Sequence, residues 1–128
     1  MRPKHQELGK LENEIMEFVW SNKDPITVRS VFESVSIRRK IAYTTVMTVM
    51  GRLVKKGLLK TKPSGKAYMY QAMYSKDRFL AKISQQIIRS LISNYGDLAI
   101  AHFTKELEKI PIPKRQKLLK ILKEANEK

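Results

Sequence analysis

The chain has no cysteine, so neither a disulfide nor a thiolate metal site is open to it. Its two histidines, His5 and His102, stand alone, with no second histidine at ligand spacing; surface or packing roles are expected, and no metal. No apolar run approaches the ~18 residues of a membrane span, and no apolar stretch follows Met1. The expectation is a cytoplasmic protein without a secretory leader. Without a cysteine nucleophile, and with its acids on helices among solvated charges, the chain offers no catalytic constellation, so neither an enzyme nor a cofactor is expected. Ser64-Gly65-Lys66 lacks the upstream glycine and the following Ser or Thr of a nucleotide phosphate loop, and it reads as a turn. The most informative absence is regional. From Ser34 through Lys76 there is no Asp or Glu, while ten Lys or Arg fall in the same stretch.

What is present fits that gap. The whole chain holds 26 Lys and Arg against 12 Asp and Glu over 128 residues, a net charge of +14, which draws it toward phosphate. The excess runs along the full length, but only in the first part do the basic residues form an acid-free block. Because that block carries an amphipathic helix and a hairpin pattern, it reads as a folded module that meets an external polyanion. Nucleic acid is the first candidate.

Hydrophobic spacing outlines the module. Leu8, Leu11, Ile15, Phe18 and Val19 share one face of a first helix, which Trp20 closes. Thr27 is placed to cap a second, with Val28, Val31, Phe32 and Val35 at helical spacing. A basic linker, Ser36 to Lys40, leads to a third helix. It turns Val46, Val49, Met50, Leu53 and Val54 inward and leaves Thr44, Thr48, Gly51 and Lys55 outside, flanked by Thr45 and Arg52. Gly57 is placed to end it. Leu58 to Lys62 and Ala67 to Gln71 then read as a hairpin around Pro63 to Lys66. Three helices and a hairpin spell a winged helix-turn-helix.

After Tyr74 the pattern is purely helical. Ser75 is a cap candidate for a helix with Phe79, Leu80, Ile83, Ile87, Ile88, Leu91 and Ile92 on a wide apolar face. Asp97 is expected to cap the next, Leu98 to Leu107, and Ile110-Pro111-Ile112-Pro113 precedes a last helix bearing Leu118, Ile121, Leu122 and Ala125. Such faces, with no sheet to cover them, need a partner, and a second copy is expected. The predicted fold is mainly α, with a winged-helix DNA-binding domain over residues 1–74 and helical dimerisation over 75–128. Ile83, Ile87, Leu91, Ile100, Phe103, Leu118 and Leu122 are the candidate dimer contacts.

For the DNA face, Tyr43, Thr44, Thr45 and Thr48 are the candidates at or near bases, and Arg38, Arg39, Lys40, Arg52, Lys55 and Lys66 for phosphates. Lys56 is a further phosphate candidate. A solvated helix face is the plain alternative for Thr44, Thr48 and Lys55, which the acid-free context and the following wing disfavour. For Tyr43 and Met47, packing against the second helix weighs about equally with DNA contact. Tyr68 and Tyr70 share one side of a strand, so packing is favoured for at least one.

These residues resemble the penicillinase-repressor, or BlaI/MecI, family of bacterial transcriptional repressors. The resemblance is carried by Leu8-Gly9 with Leu11-Glu12, Ile15 to Trp20, Ile26-Thr27-Val28, Thr45-Val46 with Thr48, Arg52-Leu53, Lys55-Lys56-Gly57, Gly65-Lys66 with Tyr70, and Gly96-Asp97. It implies a homodimer that grips a palindromic operator, of β-lactamase or related genes, and blocks transcription. Family members commonly carry Trp where Ile41 stands and Pro where Ala72 stands. In several relatives a membrane metalloprotease sensor cuts an Asn-Phe bond in the dimer region. The corresponding pair is His102-Phe103, which makes those two residues a candidate proteolysis site that departs from the family pattern. The cysteine-rich tail of copper-responsive relatives is absent. Two other readings stay open: a basic architectural or RNA-binding protein without one target sequence, and a winged-helix regulator that senses a small molecule among its C-terminal helices.

Overall fold

The computed structural model describes residues 8–126, so His5 lies outside the described residues. Contacts divide the chain into two compact units, Met1–Phe79 and Leu80–Lys128.

The first unit is built from α1 (Lys10–Ser21), α2 (Val28–Val35), α3 (Tyr43–Lys55) and a hairpin of β1 (Leu59–Ser64) and β2 (Ala67–Ala72). The three helices pack pairwise around Ile15, Met16, Val31, Val46, Met50 and Leu53, all fully buried. Met16, outside the expected stripe of α1, belongs to this core as well. Thr27 caps α2 as its position predicts: Thr27 Oγ1 accepts from the Ser30 N–H at 3.1 Å, and Ser30 Oγ in turn accepts from the Thr27 N–H at 3.1 Å. Gly57, at φ 81°, ends α3 with two bonds, its own N–H to the Val54 carbonyl and that of Leu58 to the Leu53 carbonyl, with both leucines buried.

The strands pair antiparallel from Leu59↔Ala72 to Ser64↔Ala67, which leaves Gly65-Lys66 as a two-residue turn. Gly65 takes φ 64° at the first central position, where a side chain would be strained. The hairpin is thus longer than its alternation suggests, and Pro63-Ser64 is strand. Ile26 adds a single bridge to Tyr70, with N–H to carbonyl bonds of 2.9 and 2.7 Å in the two directions. It ties the loop before α2 to the wing. At the base, the Trp20 indole N–H donates to the Tyr74 carbonyl at 3.0 Å and its ring lies 5.4 Å from that of Phe79. Trp20 is half-buried, and α1 runs one residue past it.

The C-terminal helices are α4 (Lys76–Tyr95), α5 (Asp97–Glu108) and α6 (Ile112–Asn126). Ser75 caps α4, its Oγ accepting from the Arg78 N–H. Asp97 is not the cap of α5: Gly96, at φ 78°, holds that position and Asp97 opens the first turn, where its charge suits the helix dipole. No helix is long and apolar enough to cross a membrane among the described residues.

Candidate nucleic-acid interface

The acid-free block of sequence is not acid-free in space, because α1 lays three glutamates against it. Glu14 pairs with Arg39 at 2.6 Å, Glu12 with Lys56 at 2.7 Å and Glu17 with Lys76 at 2.8 Å. Glu12 also accepts from the Gly9 N–H, so one carboxylate joins the start of α1 to the end of α3. Burial pushes its pKa up, but the Lys56 hydrogen bond, the Gly9 N–H and the charges of Lys56 and Arg52 outweigh that and hold the group below its ordinary value. Arg38 lines an open hollow of about 540 Å³ with Glu14 and Glu17. Arg39 and Lys56 therefore hold the helices together, and the cations left for an external anion are a subset of the block.

That subset gathers on α3 and the wing. Thr44, Thr45, Thr48, Arg52 and Lys55 are exposed on α3, Lys66 is exposed at the hairpin turn, and Lys40 is exposed just before α3. Among the described residues none of these cations forms an ion pair with a carboxylate, although the charge of Arg52 is felt by Glu12. Thr48 Oγ1 donates to the Thr44 carbonyl at 2.9 Å, so its proton is used within the helix and what faces outward is an acceptor oxygen and a methyl group. Such a side chain meets a base amino group or a thymine methyl. Tyr43 is half-buried, with its ring edge-on to Phe32 at 5.6 Å, so the packing alternative holds for it. Met47 is exposed. Of the wing tyrosines, Tyr70 is half-buried and Tyr68 stands out in solvent.

Glycine on the same face is informative. Gly51 lies in mid-helix, and a methyl group built there would meet nothing within 4 Å. Glycine costs a helix interior about 1 kcal/mol relative to alanine, and no neighbour among the described residues requires it.

The sequence model of the penicillinase repressor family matches residues 8–124. The chain belongs to the penicillinase repressor family. It is 37% identical over 101 residues to the transcriptional regulator BlaI of Mycobacterium tuberculosis, across 78% of this chain and 73% of that protein. It is 23% identical over 106 residues to the methicillin resistance regulatory protein MecI of Staphylococcus aureus, across 83% and 85%. Among solved structures, the DNA-binding domain of the repressor BlaI matches with a TM-score of 0.51 at 25% identity, over 59% of this chain and 90% of that one. The protein is a BlaI/MecI-type transcriptional repressor with a winged-helix DNA-binding domain, and on family grounds it is not an enzyme.

In this repressor the sequence reading missed Arg29. The exposed guanidinium of Arg29 lies 5.2 Å above the Tyr43 ring, and the signal is tertiary because the two residues sit on different helices. Lys60 and Lys62, exposed along β1, extend the basic face up the wing. Of the dimer candidates, Ile83 is buried within the single chain, so its burial needs no second copy. Ile87, Phe103, Leu118 and Leu122 are exposed, while Leu91 and Ile100 are half-buried. The repressor's His102-Phe103 pair lies inside α5 and is exposed.

Proposed function

We propose that the repressor acts as a cytoplasmic homodimer on a palindromic operator, with the N-terminal residues of α3 in the major groove. Thr44, Thr45 and Thr48 read bases in this arrangement, and Lys40, Arg52, Lys55 and Lys66 hold phosphates. The observation that carries the reading is the separation of charge within the first unit: the glutamates of α1 absorb Arg39, Lys56 and Lys76, and the cations on the outward face of α3 and the wing form no ion pair among the described residues. The bare Gly51 supports it, since a glycine without an internal purpose allows a DNA backbone to approach closely.

Dimerisation rests on the second unit. Neither α5 nor α6 has a buried residue among those described, and Leu98, Phe103, Leu107, Ile112, Leu119 and Leu122 are exposed apolar side chains on them. Surfaces of that kind call for a partner, and a second copy completes a two-fold repressor. The family resemblance supports β-lactamase or related genes as targets and a membrane metalloprotease sensor as inducing partner, although His102 stands where the relatives' cut bond has Asn. Cutting at His102-Phe103 would separate α6 and the second half of α5 from the rest and loosen the dimer, but the bond is helical, so α5 must open locally before a protease can hold it extended.

Footprinting on genomic fragments selected by the protein tests the proposal. A discrete site with two-fold symmetry is expected; uniform coating of any nucleic acid would establish the architectural alternative. On the selected site, Thr48→Ala should cost about 1 kcal/mol and little on random duplex, whereas Lys66→Ala should weaken both alike.

A further inference from the structure

Two arginines of the first unit lie over tyrosine rings, Arg78 over Tyr74 and Arg29 over Tyr43, and of the two only Arg29 does so between two helices of the winged-helix core. Arg29 occupies the second position of α2, where positive charge opposes the helix dipole, and no acidic residue offsets it in that turn. It forms no ion pair or hydrogen bond among the described residues. Its guanidinium carbon instead lies over a ring, 5.2 Å from the centroid of Tyr43. Tyr43 opens α3, and its ring is braced edge-on by Phe32. The bracing matters for binding. A guanidinium held over a fixed ring has already lost part of its rotamer freedom, and with no hydrogen bond or ion pair of its own among the described residues its N–H donors remain for a phosphate, met at reduced entropic cost.

The surroundings indicate what is met. Thr27, Arg29, Tyr43, Met47 and Tyr68 line an open hollow of about 360 Å³ bounded by the start of α2, the start of α3 and β2. No acidic residue among those described lines it. Met47 is 46% exposed and Tyr68 60% exposed, apolar surface standing in the middle of a basic face. A cation beside exposed apolar side chains complements a ligand that alternates charge and hydrocarbon. The sugar-phosphate backbone has that composition: phosphate for Arg29, deoxyribose for Met47 and the Tyr68 ring.

We infer that this hollow seats the backbone of one operator strand as it leaves the major groove between α3 and the wing, with Arg29 as its phosphate ligand and Tyr43 as the residue that positions Arg29. The inference rests on the proposed function and extends it to residues outside the outward face of α3. Tyr43 thereby acts on DNA through Arg29, whatever its own contact with a base.

Full-length variants decide it, titrated on a duplex recovered by the wild type from genomic fragments and on a scrambled duplex of equal length. Arg29→Ala should weaken both by the same factor, roughly tenfold or more, and lower the steepness of the salt dependence by about one unit. Arg29→Lys should recover the salt slope and only part of the affinity, because it keeps charge without the guanidinium fork. Tyr43→Leu should weaken binding in the wild-type background and have little further effect in Arg29→Ala, with thermal unfolding followed in each variant. Unchanged affinity and slope in a folded Arg29→Ala protein overturns the seat. Equal losses from Tyr43→Leu in both backgrounds overturn the positioning role. If Arg29→Ala binds like wild type while Thr48→Ala and Lys66→Ala lose affinity, the seat fails and the repressor reading stands. A wild type that selects no duplex at all overturns both.

Discussion

Val46, Val49 and Met50 on α3, and Leu118, Ile121 and Leu122 on α6, repeat at the same i, i+3, i+4 spacing, yet the first three are buried and the last three stand in solvent. The difference is one of neighbours. In the first unit α1, α2 and the hairpin each bring an apolar face of their own to α3, so thirteen of the fourteen buried hydrophobic side chains among the described residues lie at or before Phe79. Beyond it only Ile83 among the described residues is buried, and the helices have apolar surface without a sheet to receive it. Amphipathic spacing therefore states that a face is to be covered, and not what covers it. On the proposed dimer, stability in the first unit is a property of the single chain, whereas in the second it depends on association.

The comparison is open to five tests. The largest effect expected is on DNA affinity through the unpaired cations of the first unit. If a dimer neutralises roughly six to ten phosphates, affinity should fall by about three to five orders of magnitude between ~50 and ~200 mM salt. A flat titration would remove the assigned face.

Next comes removal of the second unit. Because Trp20 packs on Phe79 and bonds the Tyr74 carbonyl, a fragment ending at residue 81 keeps the first unit's contacts, which one ending at Tyr74 would not. It should sediment as a folded monomer and bind about two to four orders of magnitude more weakly than the full chain, since the second half-site is no longer tethered. A dimeric fragment, or a monomeric full chain at micromolar concentration, breaks the division of labour.

Leu53→Ala opens a cavity in a fully buried position and should cost about 2 to 5 kcal/mol of unfolding free energy in the fragment. Leu122→Ala in the full chain should leave the winged-helix transition in place and raise the dimer dissociation constant. Urea unfolding and sedimentation read the two effects separately.

Gly51→Ala should raise fragment stability by about 1 kcal/mol while weakening operator binding, opposite signs that a purely structural glycine would not show. The smallest effect concerns Glu12. Its carboxyl titrates below its ordinary value in the folded protein, so its contribution is complete above that ordinary value and is lost as pH falls through the lowered one. Thermal midpoints of Glu12→Gln should sit below wild type at neutral pH and converge with it in acid; parallel curves would show that the Lys56 pair adds nothing.

Several features of the fold were readable along the chain because their causes are local. Thr27 caps through Ser30 three residues on, Gly57 closes α3 through carbonyls at Leu53 and Val54, and the inward stripe of α3 follows from helical spacing alone. The family itself was legible in the same way, from short motifs at fixed offsets. One local assignment failed: Asp97 has the right chemistry for a cap, but Gly96 takes the positive φ that the break after α4 requires.

The chain order, however, conceals which charges meet. Glu14 and Arg39 are 25 positions apart, Glu12 and Lys56 are 44 apart, and Glu17 and Lys76 are 59 apart, so an uninterrupted basic stretch gave no sign that α1 would neutralise part of it. The same holds for Arg29 over Tyr43 and for the bridge between Ile26 and Tyr70. Local pattern set the helices, their caps, the turn and the sign of the partner, because those follow from spacing and composition. Only the packed structure separated the cations that brace the fold from those left for DNA, since an ion pair forms where closing the chain brings two side chains together, and that distance is written nowhere in the order of residues.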